Sequence, residues 1–200
     1  NVMAKTTKNY VLAYGAGWSD EYLRFAAEHY DMIVTSAGNT THHWIDVLRE
    51  ANPDIIILWY HEAFSATASQ SDFWLRQDDG TPLLAYNNTP GRYIADPGNP
   101  EWRQYQAQKC SLDVEYMNVD GIFYDNVMPG HRFGAAFSYT TPDKYPDQES
   151  WQAAMQGLID SVKTALGDKL LLVNSLFYWV ENVDGYMTEG ICLPDDWHDD

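Results

Sequence analysis

The sequence predicts an α/β fold of the (β/α)8 TIM-barrel type, truncated after the sixth strand, and three observations carry that expectation. Strand-like and helix-like stretches alternate about six times along the chain, which is the pattern of a parallel sheet covered by helices. Two strand stretches, Ile55–Tyr60 (IIILWY) and Ile122–Tyr124 (IFY), are aliphatic or aromatic throughout, as suits strands buried on both faces. The second of them is closed by Asp125, and in such barrels the C-terminal end of a strand is where chemistry is placed. A closed eight-stranded barrel takes ~250 residues. The 200 residues here are read as one domain, incomplete at its C-terminus.

Taken in order, Tyr10–Tyr14 (YVLAY) is the first strand. Ser19 caps a helix over Asp20–Tyr30, with acids in its first turn. Met32–Thr35 is the second strand, and Thr41–Ala51 a helix whose inner side is Trp44, Ile45, Val47 and Leu48. Asn52-Pro53-Asp54 closes it before the third strand, Ile55–Tyr60. The stretch 62–97 departs from the alternation. Within it, Phe73–Arg76 and Leu83–Tyr86 flank Asp78-Asp79-Gly80, an inserted hairpin. Pro100 opens a helix running to about Met117. Gly121–Tyr124 is the fourth strand. A second long loop precedes the helix Asp147–Leu166, whose Trp151, Met155, Leu158, Ile159, Val162 and Leu166 fall at steps of three and four. Leu170–Val173 is the fifth strand. A short helical turn around Tyr178–Asn182 leads to the sixth, Gly185–Thr188.

Composition narrows the function classes. A formal net charge of −17 argues against phosphate backbones and anionic membrane surfaces as partners. No apolar run approaches the length of a membrane span. The start, Asn-Val-Met, carries no secretory signal, so the compartment is not readable from it; a secreted or extracellular setting is the favoured expectation. Cys110 and Cys192 form no metal spacing.

Several motifs fail on inspection. Gly15-x-Gly17 has Asp20 where a dinucleotide fingerprint needs its third glycine. His61-Glu62 has Ser65 where a zinc-protease motif needs its second histidine. His42-His43 has only Asp46 at helical spacing, and Ser36 lacks the glycine before a nucleophile elbow. No metal or other cofactor is therefore expected.

Two carboxylates survive: Asp125 closes the fourth strand and Glu189 the sixth. Alternate strands of a barrel point side chains into a common layer, so both acids can address one space. Glycoside hydrolysis needs such a pair, one ionised to attack the anomeric carbon and one protonated to help the leaving oxygen depart. The bland alternatives are an Asx-turn at Asp125 and a solvated loop acid at Glu189. Glu62 is a further acid. Tyr60, His61, Trp18 and Asn174 at other strand ends supply hydrogen bonds and a flat ring. Trp18 and at least one of Trp74, Trp179 and Trp197 are expected to stack on sugar rings in the cleft, and Trp59 to pack in the core.

A resemblance joins these residues. Asp120-Gly121-Ile122-Phe123-Tyr124-Asp125-Asn126 looks like the fourth-strand motif of retaining barrel glycosidases, whose terminal aspartate is the nucleophile. Asp96, followed by Asn99-Pro100-x-x-Arg103, looks like the segment that opens the third helix in such enzymes. With Asn174 and Glu189 at their strand ends, the chain resembles the hypothetical glycosyl hydrolases related to endo-α-1,4-polygalactosaminidases and dextranases. The resemblance implies a hydrolase of α-linked poly- or oligosaccharides, with Asp125 as nucleophile, Glu189 as acid/base, and Asp96 and Asn126 among the substrate-binding residues. The rival reading is a carbohydrate-binding or inactive barrel. A partner chain or a missing segment is the expected source of the remaining strands.

Overall fold

The computed structural model describes residues 10–13, 18–36, 41–85, 89–128, 141–175 and 179–187. In chain order these form β1 (Tyr10–Ala13), α1 (Asp20–His29), β2 (Met32–Thr35), α2 (His42–Ala51), β3 (Ile56–Glu62), β4 (Ser65–Thr67), β5 (Arg92–Ile94), α3 (Pro100–Met117), β6 (Gly121–Asp125), α4 (Gln148–Leu166), β7 (Leu170–Asn174) and β8 (Gly185–Met187). A six-stranded sheet runs in the order β1-β2-β3-β6-β7-β8, and every pair in it is parallel. These are the six strands expected from the sequence, in the expected order. The sheet curls as part of a barrel.

Alternation along the strands sorts the side chains onto two faces. Ile33, Ile57, Trp59, Ile122, Tyr124, Leu171 and Val173 pack with the apolar stripes of the helices, among them Leu23, Leu48, Val114, Met155 and Ile159. Trp59 lies in this core, as expected. The opposite face carries Val34, Leu58, Phe123 and Met187, with Leu12, Ile56, Tyr60 and Leu172 beside them. That second face is the concave lining on which the site is built.

The strands outrun their apolar stretches. β3 continues through His61 and Glu62, β6 through Asp125 and β7 through Asn174. Hydropathy stops at the last apolar residue, whereas the ladder persists: Glu62 pairs with Asp125, and Ala63 N donates to Asp125 O at 3.0 Å. At the other end of the sheet one device occurs twice. Asp120, just before β6, accepts Ile57 N at 2.7 Å and Arg49 Nη2 at 2.7 Å. Asp184, just before β8, accepts Leu171 N at 2.8 Å and Lys163 Nζ at 2.7 Å. Each carboxylate ties a neighbouring strand to a helix.

The excursion after β3 forms an antiparallel pair, β4 with β5. The hairpin expected around Gly80 is present as isolated bridges rather than regular strands: Arg76 pairs with Pro82, Leu84 with Tyr93 of β5, and Trp74 with Ala95 just past β5. The helical turn expected around Tyr178–Asn182 is not seen in its described part, Trp179–Asn182, which is irregular; Asn182 there has a φ of 58°, which turns the chain instead. No described helix is long and apolar enough to cross a membrane.

Candidate active site

Asp125 ends β6 on the concave face, two positions beyond Phe123. The chain leaves the strand at Asn126, whose φ of 59° lies in the left-handed region that asparagine tolerates best among residues with a side chain. That reversal brings Asn126 N to 2.8 Å from Asp125 Oδ1 and its Nδ2 to 3.5 Å from Oδ2. An Asx-turn bonds the backbone two residues on, so the observed contact differs from the bland alternative. Tyr60, on the adjacent strand, donates its hydroxyl to Oδ2 at 2.7 Å. Asn174, closing β7 on the other side, donates Nδ2 to Oδ1 at 2.8 Å. Val127 N also bonds Asn174 O at 3.1 Å, which fixes the separation of the two strand ends. Strands β3 and β7 and the residue that follows β6 thus aim neutral donors at both oxygens of one carboxyl, an arrangement an acceptor-only group satisfies.

Glu62 closes β3 directly opposite Asp125 in register. Burial pushes its carboxyl above the usual glutamate range, and the charge of Asp125 pushes the same way; a hydrogen bond with Ser65 and the Arg92 guanidinium draw it back. Arg92 Nη1 lies 3.9 Å from Glu62 Oε2. Ser65 and Arg92 come from β4 and β5 of the excursion, and nothing in the sequence signalled that this insertion folds back onto the site.

Other expected site residues go elsewhere. His61 follows Tyr60 in the strand and so faces the helices, where its Nε2 lies 2.8 Å from Asp113 Oδ2 on α3; it is not brought to Asp125. Asp96 is buried and engaged by three donors: it accepts Gly98 N at 2.9 Å, Lys144 Nζ at 2.5 Å and the Tyr145 hydroxyl. It anchors the second loop to the start of α3. The motif beside it is structural too. Asn99 Oδ1 caps α3 through Glu101 N at 2.8 Å, and Arg103 reaches Ala154 O of α4 at 2.8 Å.

The described indoles depart from the stacking expectation. Trp18 lies against Trp44, centroids 6.5 Å apart, and lines a groove of about 380 Å³ with Val11, Tyr22, Phe25, Ala26 and Tyr30, between α1 and the helix side of β1. Trp74 is flanked by Tyr93, stacked at 3.7 Å, and by the Arg76 guanidinium at 5.1 Å, so its ring is already engaged. Trp179 packs onto the helix-side core. Glu189 and Trp197 lie outside the described residues.

Comparison with known proteins agrees with this picture at the level of fold. A family model described as hypothetical glycosyl hydrolase family 15 matches residues 49–196. The structure is similar to the glycoside hydrolase domain of PelA from Pseudomonas aeruginosa (TM-score 0.59, 15% identity, 83% of this chain and 59% of that one). It is also similar to TtGalA, an α-galactosidase from Thermus thermophilus solved in complex with stachyose (TM-score 0.57, 16% identity, 83% and 40%). A third similar structure is the GH36 α-galactosidase AgaA from Geobacillus stearothermophilus (TM-score 0.60, 10% identity, 92% and 31%). The chain therefore spans 59% or less of the length of these structures. No curated protein sequence matches it.

Proposed function

We propose that this chain, which belongs to hypothetical glycosyl hydrolase family 15, is a glycosidase acting on α-linked oligo- or polysaccharides with retention of configuration. The observation that carries the reading is the Asp125 carboxyl, set at a C-terminal strand end and supplied with donors by Tyr60, Asn174 and Asn126. Those donors fix the carboxyl's orientation, as a nucleophile attacking a single carbon requires.

In the proposed reaction an Asp125 oxygen forms a bond to the anomeric carbon as the bond to the leaving oxygen breaks. A proton from Glu189 passes to that leaving oxygen, giving a free alcohol and a glycosyl ester on Asp125. Glu189, now ionised, takes a proton from a water that attacks the same carbon, and the ester bond breaks to restore Asp125. The acid/base assignment rests on the sequence, where Glu189 follows Met187 of the concave face by two positions. Tyr60 and Asn174 position Asp125.

The test is hydrolysis of a panel of 4-nitrophenyl α- and β-glycosides, followed by NMR of the first-formed anomer. Asp125→Asn should abolish turnover, and Glu189→Gln should impair poor leaving groups most, with azide partly restoring release from activated substrates. Inverted product overturns the nucleophile role. Glycan binding with no release by the parent chain favours the carbohydrate-binding alternative.

A further inference from the structure

The proposed reaction leaves one carboxyl of the site unassigned. Glu62 and Asp125 are register partners on adjacent parallel strands, whose backbones lie ~4.8 Å apart and whose paired side chains share a face. The shared face is visible in Tyr60, two positions earlier on β3, whose hydroxyl reaches Asp125. The surroundings of the two acids differ sharply. Both Asp125 oxygens receive donors. Glu62 Oε1 is sealed from solvent and has no hydrogen-bond partner among the described residues. Its Oε2 lies 3.9 Å from Arg92 Nη1, beyond hydrogen-bond reach, which leaves the neutral Ser65 hydroxyl to offset a charge there. Charge on Glu62 would sit partly unpaired in a dry position beside a like charge, and two carboxyls so placed do not both ionise readily.

We propose that Glu62 is a positioning residue of this site: it stands beside Asp125 as an uncharged carboxylic acid, leaving Asp125 the single anion on which the three donors converge. The proposal rests on the reading of Asp125 as nucleophile and adds a partner that sets its charge environment. Among the described residues, the titratable groups that act on Glu62 are Asp125 and the Tyr124 hydroxyl from β6 and Arg92 from β5. The neutral neighbours are the Ser65 hydroxyl from β4 and the Gln106 side chain of α3, whose Nε2 lies 3.5 Å from Glu62 O. Burial and Asp125 oppose its ionisation, and Arg92 and Ser65 favour it less strongly. When pH rises far enough to remove the proton, a second negative charge appears beside the nucleophile.

Carboxyl-carbon NMR of the glutamate-labelled chain, titrated with pH, tests this without any substrate. The Glu62 resonance, assigned by its loss in Glu62→Gln, should titrate above the ordinary glutamate range. Asp125→Asn should lower that midpoint, and Arg92→Met should raise it. A Glu62 midpoint in the ordinary range, or one unmoved by Asp125→Asn, overturns the proposal. Neither of those two variants alters Glu62, and Glu62→Asp, which removes the same glutamate resonance, supplies the assignment where Glu62→Gln folds poorly. With a glycoside that is turned over, kcat/KM should show an alkaline step at the NMR midpoint that is lost in Glu62→Gln; a step retained there overturns the link to catalysis. A chain that hydrolyses nothing sinks the nucleophile reading, while a raised Glu62 midpoint in that same chain still supports the uncharged acid beside Asp125.

Discussion

Gly121→Ala probes how closely the site depends on strand spacing. Gly121 opens β6 opposite Leu170 of β7. A Cβ built there falls 2.1 Å from Leu170 O and 2.7 Å from Leu170 C. The obstacle is backbone, so no rotamer change relieves it; the strands must separate by about 1 Å or more to reach ordinary contact. Overpacking of this kind costs about 1–3 kcal/mol. For a domain of this size that corresponds to a fall in Tm of about 2–12 °C. The same displacement runs along β6 and β7 toward Asp125 and Asn174, whose hydrogen bond is 2.8 Å long, and a misplacement of ~1 Å at a reacting group can cost ~100-fold in rate. Thermal and urea unfolding, read beside the rate on an activated glycoside, measure both effects. Gly185→Ala is the comparison, because the atoms nearest its Cβ belong to the Leu172 side chain, Cγ at 3.2 Å and both Cδ atoms at 3.7 Å, which can yield. A Gly121→Ala chain as stable and as active as its parent refutes the reasoning.

Three further outcomes follow from the same structure. Tyr60→Phe removes the donor to Asp125 Oδ2 and should lower kcat/KM on an activated glycoside by about 10- to 150-fold, the equivalent of ~1.5–3 kcal/mol for a hydrogen bond to a charged group. Asp96→Ala strips Lys144 and the Tyr145 hydroxyl of their acceptor and should cost about 1–3 kcal/mol, with faster proteolysis near Lys144 as the local readout. At Asp184 burial raises the carboxyl, but the bonds from Lys163 and Leu171 N outweigh it and hold the group below the usual aspartate range. Its stabilisation is therefore present above the unfolded-state value and lost as pH falls through the folded one. Urea unfolding of Asp184→Asn should show a loss of up to ~1 kcal/mol at neutral pH, discounted for exposure, which shrinks as the solution is acidified.

The architecture was legible because its signals are local. A strand buried on both faces reads as an unbroken apolar stretch, and a helix against a sheet reads as a stripe at steps of three and four; Ile56–Tyr60 and Trp151–Leu166 show each plainly. What was not legible is where side chains point and what they meet far away in sequence. Tyr60 and His61 are neighbours, yet one faces Asp125 and the other Asp113. Strand parity contains that distinction, since Tyr60 shares the face of Leu58 and His61 that of Trp59, whereas proximity to a strand end does not. Trp18 precedes a helix with no strand period to orient it. Asp96 finds Lys144 at a separation of 48 residues, a pairing no local pattern announces.

One strand displays the rule that separates the two kinds of acid. Asp120 and Asp125 bracket β6, and both have partly buried carboxyls that accept from neighbouring elements. Asp120 lies at the start, where it is bound to a cation and a backbone amide, Arg49 and Ile57 N. Its charge is neutralised in place, and its work is to hold α2 and β3 together. Asp125 lies at the end, where its partners among the described residues are the neutral groups of Tyr60, Asn126 and Asn174. Neutral donors orient a carboxylate without cancelling its charge, which leaves that charge for a positive centre developing beside it. Barrels of parallel strands place stability at one rim and chemistry at the other. On the proposed reading the partners of these two aspartates express that division at the level of single hydrogen bonds, and it is why Asp125, rather than the better-paired Asp120, is the proposed nucleophile.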